Sequence, residues 1–189
     1  GQFLRRRIAL VDSSSPESNE DVFTGSGSAL FCRREMLADI AFNNEYYDED
    51  FFAYFEDLDL AWRAQLLGWR CVYSAQLIAR HIGSASQDGR VRIVDKSAEF
   101  ISHIIKNRYL TLIKNATPGV FARFVTVFIA GECILWGRIV SADPAKGIAL
   151  IRGLARMGRS LPSTLTKRRD LMRRRRVADR RILDLTRGI

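Results

Sequence analysis

The sequence predicts an α/β fold followed by amphipathic, basic α-helices, and three observations predict it. Short runs that are partly β-branched and aromatic alternate with helical segments, at residues 23–33, 69–73 and 76–81. Apolar residues recur at helical spacing over residues 96–115. Beyond residue 115, apolar runs are interleaved with arginines, a pattern typical of helices that lie at an interface.

A chain of 189 residues with 47% hydrophobic content can bury a core, and its composition excludes a disordered protein. The chain begins at Gly1 without an initiator Met or a signal-peptide pattern, so we expect a piece of a longer polypeptide. Its three cysteines are widely spaced and form no CxxC pair. This spacing indicates neither a disulfide framework nor a zinc site, and it favours a reduced, cytosol-facing protein.

The net charge of +9 is concentrated near the C-terminus. Residues 1–137 carry 15 basic against 17 acidic side chains, a charge of −2, whereas residues 138–189 carry 15 against 4, a charge of +11. Such a tail can bind anionic lipid, nucleic acid or an acidic partner. Because its arginines alternate with Leu, Ile and Met at helical spacing and no nucleic-acid motif accompanies them, we favour an anionic membrane surface over nucleic acid.

The stretch at residues 47–69, YDEDFFAYFEDLDLAWRAQLLGW, concentrates acids and aromatics ahead of a helix. Residues 41–61 contain seven Asp or Glu and no Lys or Arg. Because clustered carboxylates repel one another, this pattern indicates a metal, a catalytic base or an ion-pair network with cations from elsewhere. An acidic helix start is the alternative, since carboxylates in a first turn interact favourably with the helix dipole and cap free amides.

The helix predicted within this stretch has its body at residues 58–67. Asp59 and Arg63 stand at the favourable i,i+4 spacing, and Gly68 follows as the stop. Capping explains one acid, but it does not explain why the acids follow five aromatic residues. We therefore interpret the cluster as functional.

Further helices are predicted along the chain, beginning with a short one at residues 34–40. Residues 120–140 are strongly apolar, but Arg123, Glu132 and Arg138 interrupt them, and the uncharged run between the first two covers only residues 124–131. That run is far short of the roughly 20 residues that span a bilayer, so we expect a helix lying in the interface or against the domain. Residues 146–161 repeat the pattern, and a polybasic segment follows.

Several motifs occur together between residues 24 and 86. They are a glycine-containing strand at residues 25–31, Arg33-Arg34-Glu35, the block YDEDFFAYFEDLDLAWR, Gly68-Trp69 and His81-Ile82-Gly83-Ser84. In combination they resemble the acceptor-side half of family 2 glycosyltransferases, particularly bacterial rhamnosyltransferase-like members. Lys106-Asn107-Arg108-Tyr109 is similar to the Asn-Arg element that follows the catalytic domain of these enzymes.

The resemblance implies that residues 1–115 form the C-terminal half of a GT-A (Rossmann-like) nucleotide-sugar transferase domain. Residues 116–189 would form a helical, basic, membrane-associating tail. The nucleotide-binding half and its Asp-x-Asp motif are not in this sequence, so the chain is expected to be inactive alone. The implied location is peripheral, on the cytoplasmic face of the inner membrane.

The resemblance implies inverting transfer from a nucleotide-sugar, with dTDP-rhamnose as one candidate, to a glycan or lipid-linked acceptor. Asp57 matches the family's base, which takes the proton from the acceptor hydroxyl. Glu56 would hold the acceptor or orient Asp57, and Asp59 would order the loop through Arg63. The alternative to an enzyme is a non-catalytic basic module that binds membrane or nucleic acid.

The resemblance also implies an acceptor site and a metal site. Tyr54, Trp69 and Gly25 are expected to contact the acceptor. A divalent metal, Mn²⁺ or Mg²⁺, would neutralise the departing nucleoside diphosphate. His81 matches the family's metal ligand, opposite an Asp-x-Asp expected upstream of this chain, whereas His103 is expected to be structural.

Overall fold

The structure, a computed structural model, describes residues 8–9, 19–74, 76–77 and 93–186, and this part of the chain is 69% helical. Its α-helices are α1 (Arg34–Ile40), α2 (Glu56–Leu66), α3 (Ala98–Asn115), α4 (Pro118–Ala142), α5 (Gly147–Arg174) and α6 (Asp179–Leu185). Its strands are β1 (Ile8–Ala9), β2 (Glu20–Val22), β3 (Thr24–Gly25) and β4 (Cys71–Tyr73). Short 3-10 helices lie at Gly27–Ala29, Ile93–Asp95 and Pro144–Lys146.

The predicted Rossmann-like α/β fold is wrong, because the described residues are mostly helical. β1 pairs in parallel with β3, and β2 pairs antiparallel with β4, which gives two separate two-stranded sheets. The run at residues 23–33, which was expected to contain a strand, instead turns through the 3-10 helix at Gly27–Ala29 and leaves Phe31 86% exposed. The strand predicted at residues 76–81 lies mostly outside the described residues. Strands of two or three residues bury too little surface to organise a core.

The helix predictions hold more closely. α1 has the predicted bounds, and α2 and α3 start within about two residues of prediction, the usual uncertainty of a helix end. Gly68 follows α2 in the left-handed conformation, with φ of 88°, as expected for a helix stop. α4 starts at a Thr-Pro pair, where the Thr117 hydroxyl accepts from the Val120 N–H at 3.2 Å. α5 joins the segment predicted at residues 146–161 to the first part of the polybasic segment, and α6 forms the end of that segment.

Helices build both clusters of the core. The larger cluster joins α1, α2 and α6 with one residue each of α4 and α5, and its members include Phe23, Ile40, Leu60, Leu66, Val120, Leu171 and Ile182. The smaller cluster joins α3, α4 and α5 through Ile101, Ile105, Ile139, Ala149 and Leu150. Gly153 lets α5 approach α3 closely, because a Cβ there would lie 2.9 Å from the Cβ of Ile105.

Much of the basic tail is paired within the protein. Arg168 of α5 donates to the carbonyl oxygens of Ile113 and Ala116 at 2.7 Å each, and so satisfies groups at the end of α3. Arg176 donates to both carboxylate oxygens of Asp39, at 2.8 and 2.9 Å. Tail arginines that are exposed without an ion-pair partner among the described residues include Arg138, Arg152, Arg159 and Arg169. The charge available to an external partner is therefore smaller than the count of +11 suggests.

By length and composition, one helix of the described residues, α4, could cross a membrane, and 11% of its most apolar window is buried. Its contacts hold it beside α3. Glu132 is buried and accepts from the guanidinium of Arg108 and, at 2.7 Å, from the hydroxyl of Tyr109. Ile139 is fully buried in the smaller core cluster.

Candidate functional site

The acidic, aromatic loop ends in two consecutive left-handed residues. Tyr54 has φ of 69° and Phe55 has φ of 70°. This conformation is an outlier for bulky residues and costs about 1–3 kcal/mol each, so it persists only where surrounding contacts impose it. The turn places Glu56 and Asp57 as the first two residues of α2.

Helix α3 supplies contacts that impose this turn. Asn107 is fully buried, and its side-chain amide donates to the carbonyl oxygens of Ala53 and Tyr54 at 2.8 Å each. The ammonium of the adjacent Lys106 donates to the backbone carbonyl of Asp50. The element that resembles the family's Asn-Arg motif therefore lies against the loop that precedes α2.

The backbone holds both carboxylate oxygens of Asp57. Oδ1 accepts from the N–H of Leu58 at 2.7 Å, and Oδ2 accepts from the N–H of Gly27 at 3.0 Å. A Cβ at Gly27 would lie 3.3 Å from the Cβ of Asp57, so the glycine turn approaches the acid closely. A carboxylate has about four lone-pair sites, so the two bonds from described residues leave about two sites that can accept a proton.

A cavity of about 400 Å³ lies beside Asp57, between α2, α3, α4 and α6. This volume is within the range of roughly 300–1,000 Å³ found for small-molecule sites. Its walls are mostly apolar. The lining residues are Phe23, Thr24, Gly25, Tyr54, Phe55, Asp57, Leu58, Trp62, Arg108, Thr111, Leu112, Val120, Phe124, Val127, Phe128, Gly131, Ile182 and Thr186.

Arg108 is the cation among these lining residues, and Glu132 of α4 neutralises it. The guanidinium donates to the Glu132 carboxylate and lies over the rings of Phe55 and Phe128, at 5.8 and 6.0 Å from their centroids. Burial and the hydrogen bond to Glu132 raise the pKa of Tyr109, which keeps its hydroxyl a donor to that carboxylate. The described residues that line the cavity therefore offer little free positive charge to an anion.

Glu56 adjoins Asp57 but does not line the cavity. Its Oε2 is buried and has no hydrogen-bond partner among the described residues. Burial raises the pKa of Glu56, its own backbone N–H opposes the rise, and the charge of Asp57 adds to it. This carboxyl is therefore protonated more readily than an ordinary glutamate.

Asp59 lies in an ion-pair network behind the site. Its fully buried carboxylate accepts from Nε of Arg63 at 2.9 Å and pairs with Nζ of Lys114 at 2.8 Å. Arg63 also donates to the carbonyl oxygens of Ile40 and Tyr46, at 2.8 and 2.7 Å. The prediction that Asp59 orders the loop through Arg63 is confirmed by these contacts.

Lysines from later helices neutralise the other acids of the loop. Asp48 pairs with Lys114 of α3 and, at 2.6 Å, with Lys167 of α5. Burial would raise the pKa of Asp48, but these two lysines outweigh it and lower the value to about 2. Lys167 also pairs with Glu45 at 3.0 Å. For these acids an ion-pair network, one of the three possibilities raised by the sequence, is the outcome.

The structure brings three of the predicted site residues together. Gly25, Tyr54 and Asp57 all line the cavity. Trp69 does not line it, and its Nε1 donates to the carboxylate of Asp39 in α1 at 2.7 Å. His81 lies outside the described residues, so its metal role stays a prediction. The described residues hold no group of three or more His, Cys, Asp or Glu that could bind a metal.

Sequence reasoning missed the wall of the cavity that α4 and α6 supply. Phe124, Val127, Phe128 and Gly131 recur at helical spacing along one side of α4, and Ile182 comes from α6. The spacing on α4 is a signal for a buried face. It does not show what that face packs against, since α2 and α6 are distant in sequence.

Comparisons of this chain with protein-family models, curated proteins and solved structures gave no match. The likeness to glycosyltransferases therefore rests on the motifs between residues 24 and 109. The activity, the donor and the acceptor are proposals.

Proposed function

We propose that this chain is the acceptor-side part of a longer inverting glycosyltransferase, which transfers a sugar from a nucleotide-sugar to a saccharide or lipid-linked acceptor. The position of Asp57 carries the proposal. Its carboxylate lines a cavity of about 400 Å³, has no ion-pair partner among the described residues, and is oriented by two backbone N–H groups. The motif block around Asp57 supports the same assignment.

In the proposed reaction, a hydroxyl of the acceptor lies beside Asp57. As the hydroxyl oxygen bonds to the anomeric carbon, Asp57 accepts its proton. The bond from the anomeric carbon to the diphosphate breaks, and its electron pair leaves with the nucleoside diphosphate. Attack from the opposite side inverts the anomeric configuration. A metal held by His81 and upstream ligands would neutralise the diphosphate, but none of its proposed ligands is among the described residues.

The neighbouring acids are less suited to act as the base. Both oxygens of Asp59 are engaged by cations, and its side chain has no exposed surface. Glu56 has a buried oxygen without a partner and does not line the cavity. The geometry therefore favours Asp57 as the base and leaves Glu56 as a positioning group, one of the two roles expected for it.

An assay of the longer enzyme with nucleotide-sugars and hydroxyl acceptors tests this proposal. We expect a glycosidic product whose anomeric configuration, read by NMR, is opposite to that of the donor. Retention of configuration would contradict a mechanism with one base and direct attack. A protein that binds no nucleotide-sugar would favour the non-catalytic alternative.

The proposed enzyme lies on an anionic membrane surface without crossing the bilayer. Ile129 and Ile134 of α4 are 56% and 61% exposed, and Ile148 and Ile151 of α5 are 51% and 67% exposed. Exposed arginines on the same two helices include Arg123, Arg138, Arg152 and Arg159. Apolar burial and cation attraction together bind interfacial helices to anionic lipid. Crossing is disfavoured because the charged Glu132 of α4 is paired with Arg108 of α3.

Sedimentation with vesicles of phosphatidylcholine and a rising fraction of phosphatidylglycerol measures this binding. We expect the bound fraction to rise with the anionic lipid and to fall in high salt. Replacing Arg152 and Arg159 together by Gln should weaken binding roughly 30-fold at low salt, since each cation contributes about 1 kcal/mol near the surface.

The matched control replaces Arg173 and Arg180 by Gln, because these exposed arginines already pair with Asp170 and Asp184. Their loss should change binding by less than about threefold. Indifference to anionic lipid together with tight RNA binding would favour a nucleic-acid role. Resistance to extraction by alkaline carbonate would indicate a spanning helix.

A further inference from the structure

The proposed chemistry at Asp57 uses one edge of the cavity, whereas the larger part of its wall is apolar. Phe124 and Phe128 of α4 line it together with Trp62 of α2 and Ile182 of α6. A sugar placed against such walls would lose hydrogen bonds to water without replacing them. A hydrocarbon would gain from the same burial.

The charges in the cavity argue against a phosphate as its occupant. Arg108, the lining cation, is neutralised by Glu132. Asp57 adds a negative charge to the lining and forms no ion pair with any described residue. An anionic group would therefore be repelled, whereas an uncharged chain ending in a hydroxyl suits both the walls and Asp57.

α4 carries both cavity-lining side chains and exposed apolar side chains. Val127 lines the cavity, and Phe121 and Ile129 of the same helix, which are not among the lining residues, are 43% and 56% exposed. A chain that leaves a bilayer in contact with α4 could reach the cavity while exposing little apolar surface to water.

We propose that this cavity binds the hydrocarbon chain, isoprenoid or acyl, of a lipid acceptor and thereby places a hydroxyl of the same molecule beside Asp57. The inference rests on the proposed function and deepens it, because it makes the acceptor an amphiphile and not a free glycan. The apolar walls, the neutralised Arg108 and the exposed α4 carry it together.

Trp62 provides a reporter inside the cavity. The full chain is mixed with vesicles of phosphatidylcholine and phosphatidylglycerol that contain either a dibrominated C18 alcohol or a brominated polyisoprenol, since bromine quenches tryptophan fluorescence on contact. The difference between the protein and its Trp62→Phe variant isolates Trp62 from Trp69 and Trp136. We expect saturable quenching of Trp62, and the better of the two probes identifies the type of chain.

Two glycines of α4 provide matched variants. Gly131 lines the cavity, whereas a Cβ at Gly137 would meet nothing within 4 Å. Gly131→Leu should weaken the quenching of Trp62 at least tenfold, and Gly137→Leu, which adds the same group to the same helix, should change it less than twofold. Gly131→Ala is the milder variant and should give an intermediate loss in a chain whose fold is retained, as monitored by circular dichroism.

Turnover by the longer enzyme separates this inference from the proposed function. With a chain-bearing acceptor, Gly131→Leu should raise KM at least tenfold, and with a short acceptor that lacks the chain it should not. Quenching of Trp62 without any transfer would leave the chain site standing and refute the proposed function. Two results would overturn the chain site. One is transfer that depends on Asp57 without any quenching of Trp62. The other is equal quenching in the Gly131→Leu and Gly137→Leu variants.

Discussion

Asp57→Asn is expected to lower the rate of transfer by the longer enzyme on the order of 10²- to 10⁴-fold, the contribution of a general base. The amide cannot take the proton that the attacking hydroxyl must lose. Binding of the nucleotide-sugar should stay nearly unchanged, because Asp57 acts on the acceptor. Single-turnover kinetics measure the first effect, and calorimetric titration with the donor measures the second.

Local geometry makes a control for stability necessary. Both oxygens of Asp57 accept from backbone N–H groups, so the variant amide would direct an N–H toward one of these donors. The melting temperature of the variant shows how much this unfavourable contact lowers the stability of the folded protein. Native turnover in a folded Asp57→Asn protein would refute the assignment of the base.

Asp59→Asn serves as the contrasting variant. Asp59 lies between Arg63 and Lys114, and none of the three side chains is exposed. Loss of this charge leaves the buried Arg63 without a carboxylate partner among the described residues, although Lys114 keeps Asp48, and breaking such a buried pair costs about 3–5 kcal/mol of folding free energy. We expect a protein that unfolds more easily but whose folded molecules retain far more activity than Asp57→Asn. The variant of Asp57 would thus lose mainly catalysis, and the variant of Asp59 would lose mainly stability.

Local patterns predicted much of the helical structure. The i,i+4 pair of Asp59 and Arg63 and the Gly68 stop depend on spacing within one turn or two, and spacing is visible in a sequence. The surplus of acids at residues 41–61 also indicated that cations must come from elsewhere. It could not indicate that Lys114 and Lys167 supply them, because these lysines lie 66 and 119 residues after Asp48 in the sequence.

Contacts between residues distant in sequence explain why other predictions were wrong or incomplete. The α/β prediction relied on short runs with β-propensity, and β-propensity depends on pairing partners that the run itself does not specify. Phe31 is exposed after a 3-10 turn because no neighbouring strand pairs with it in the described part of the chain. The tail was interpreted by its charge, but the bond between Arg176 and Asp39 spans 137 residues of sequence.

Asn107→Leu is expected to reduce kcat about 100-fold in molecules that still fold. The fully buried Asn107 amide donates to the carbonyl oxygens of Ala53 and Tyr54, and Leu would leave both without that donor. The left-handed turn at Tyr54 and Phe55 could then relax and release about 1–3 kcal/mol of strain per residue. That relaxation would shift Asp57, and a misplacement of about 1 Å typically costs about 100-fold.

Asn115→Leu is the matched control, because Asn115 is also a fully buried asparagine of α3 with two hydrogen bonds, to Asp59 and the carbonyl of Thr111. It should lower the melting temperature comparably while changing kcat much less, since it does not contact the left-handed turn.

Phe55→Gly distinguishes positioning from mere stability, because glycine adopts the left-handed conformation without strain. A double-mutant cycle compares the loss of kcat caused by Asn107→Leu in the native chain with the loss it causes in the Phe55→Gly chain. We expect the loss in the Phe55→Gly chain to be smaller by about tenfold or more. The same substitution combined with Asn115→Leu should recover nothing. Equal kcat losses at the two asparagines, with no recovery at either, would show that Asn107 contributes to the fold and not to the placement of Asp57.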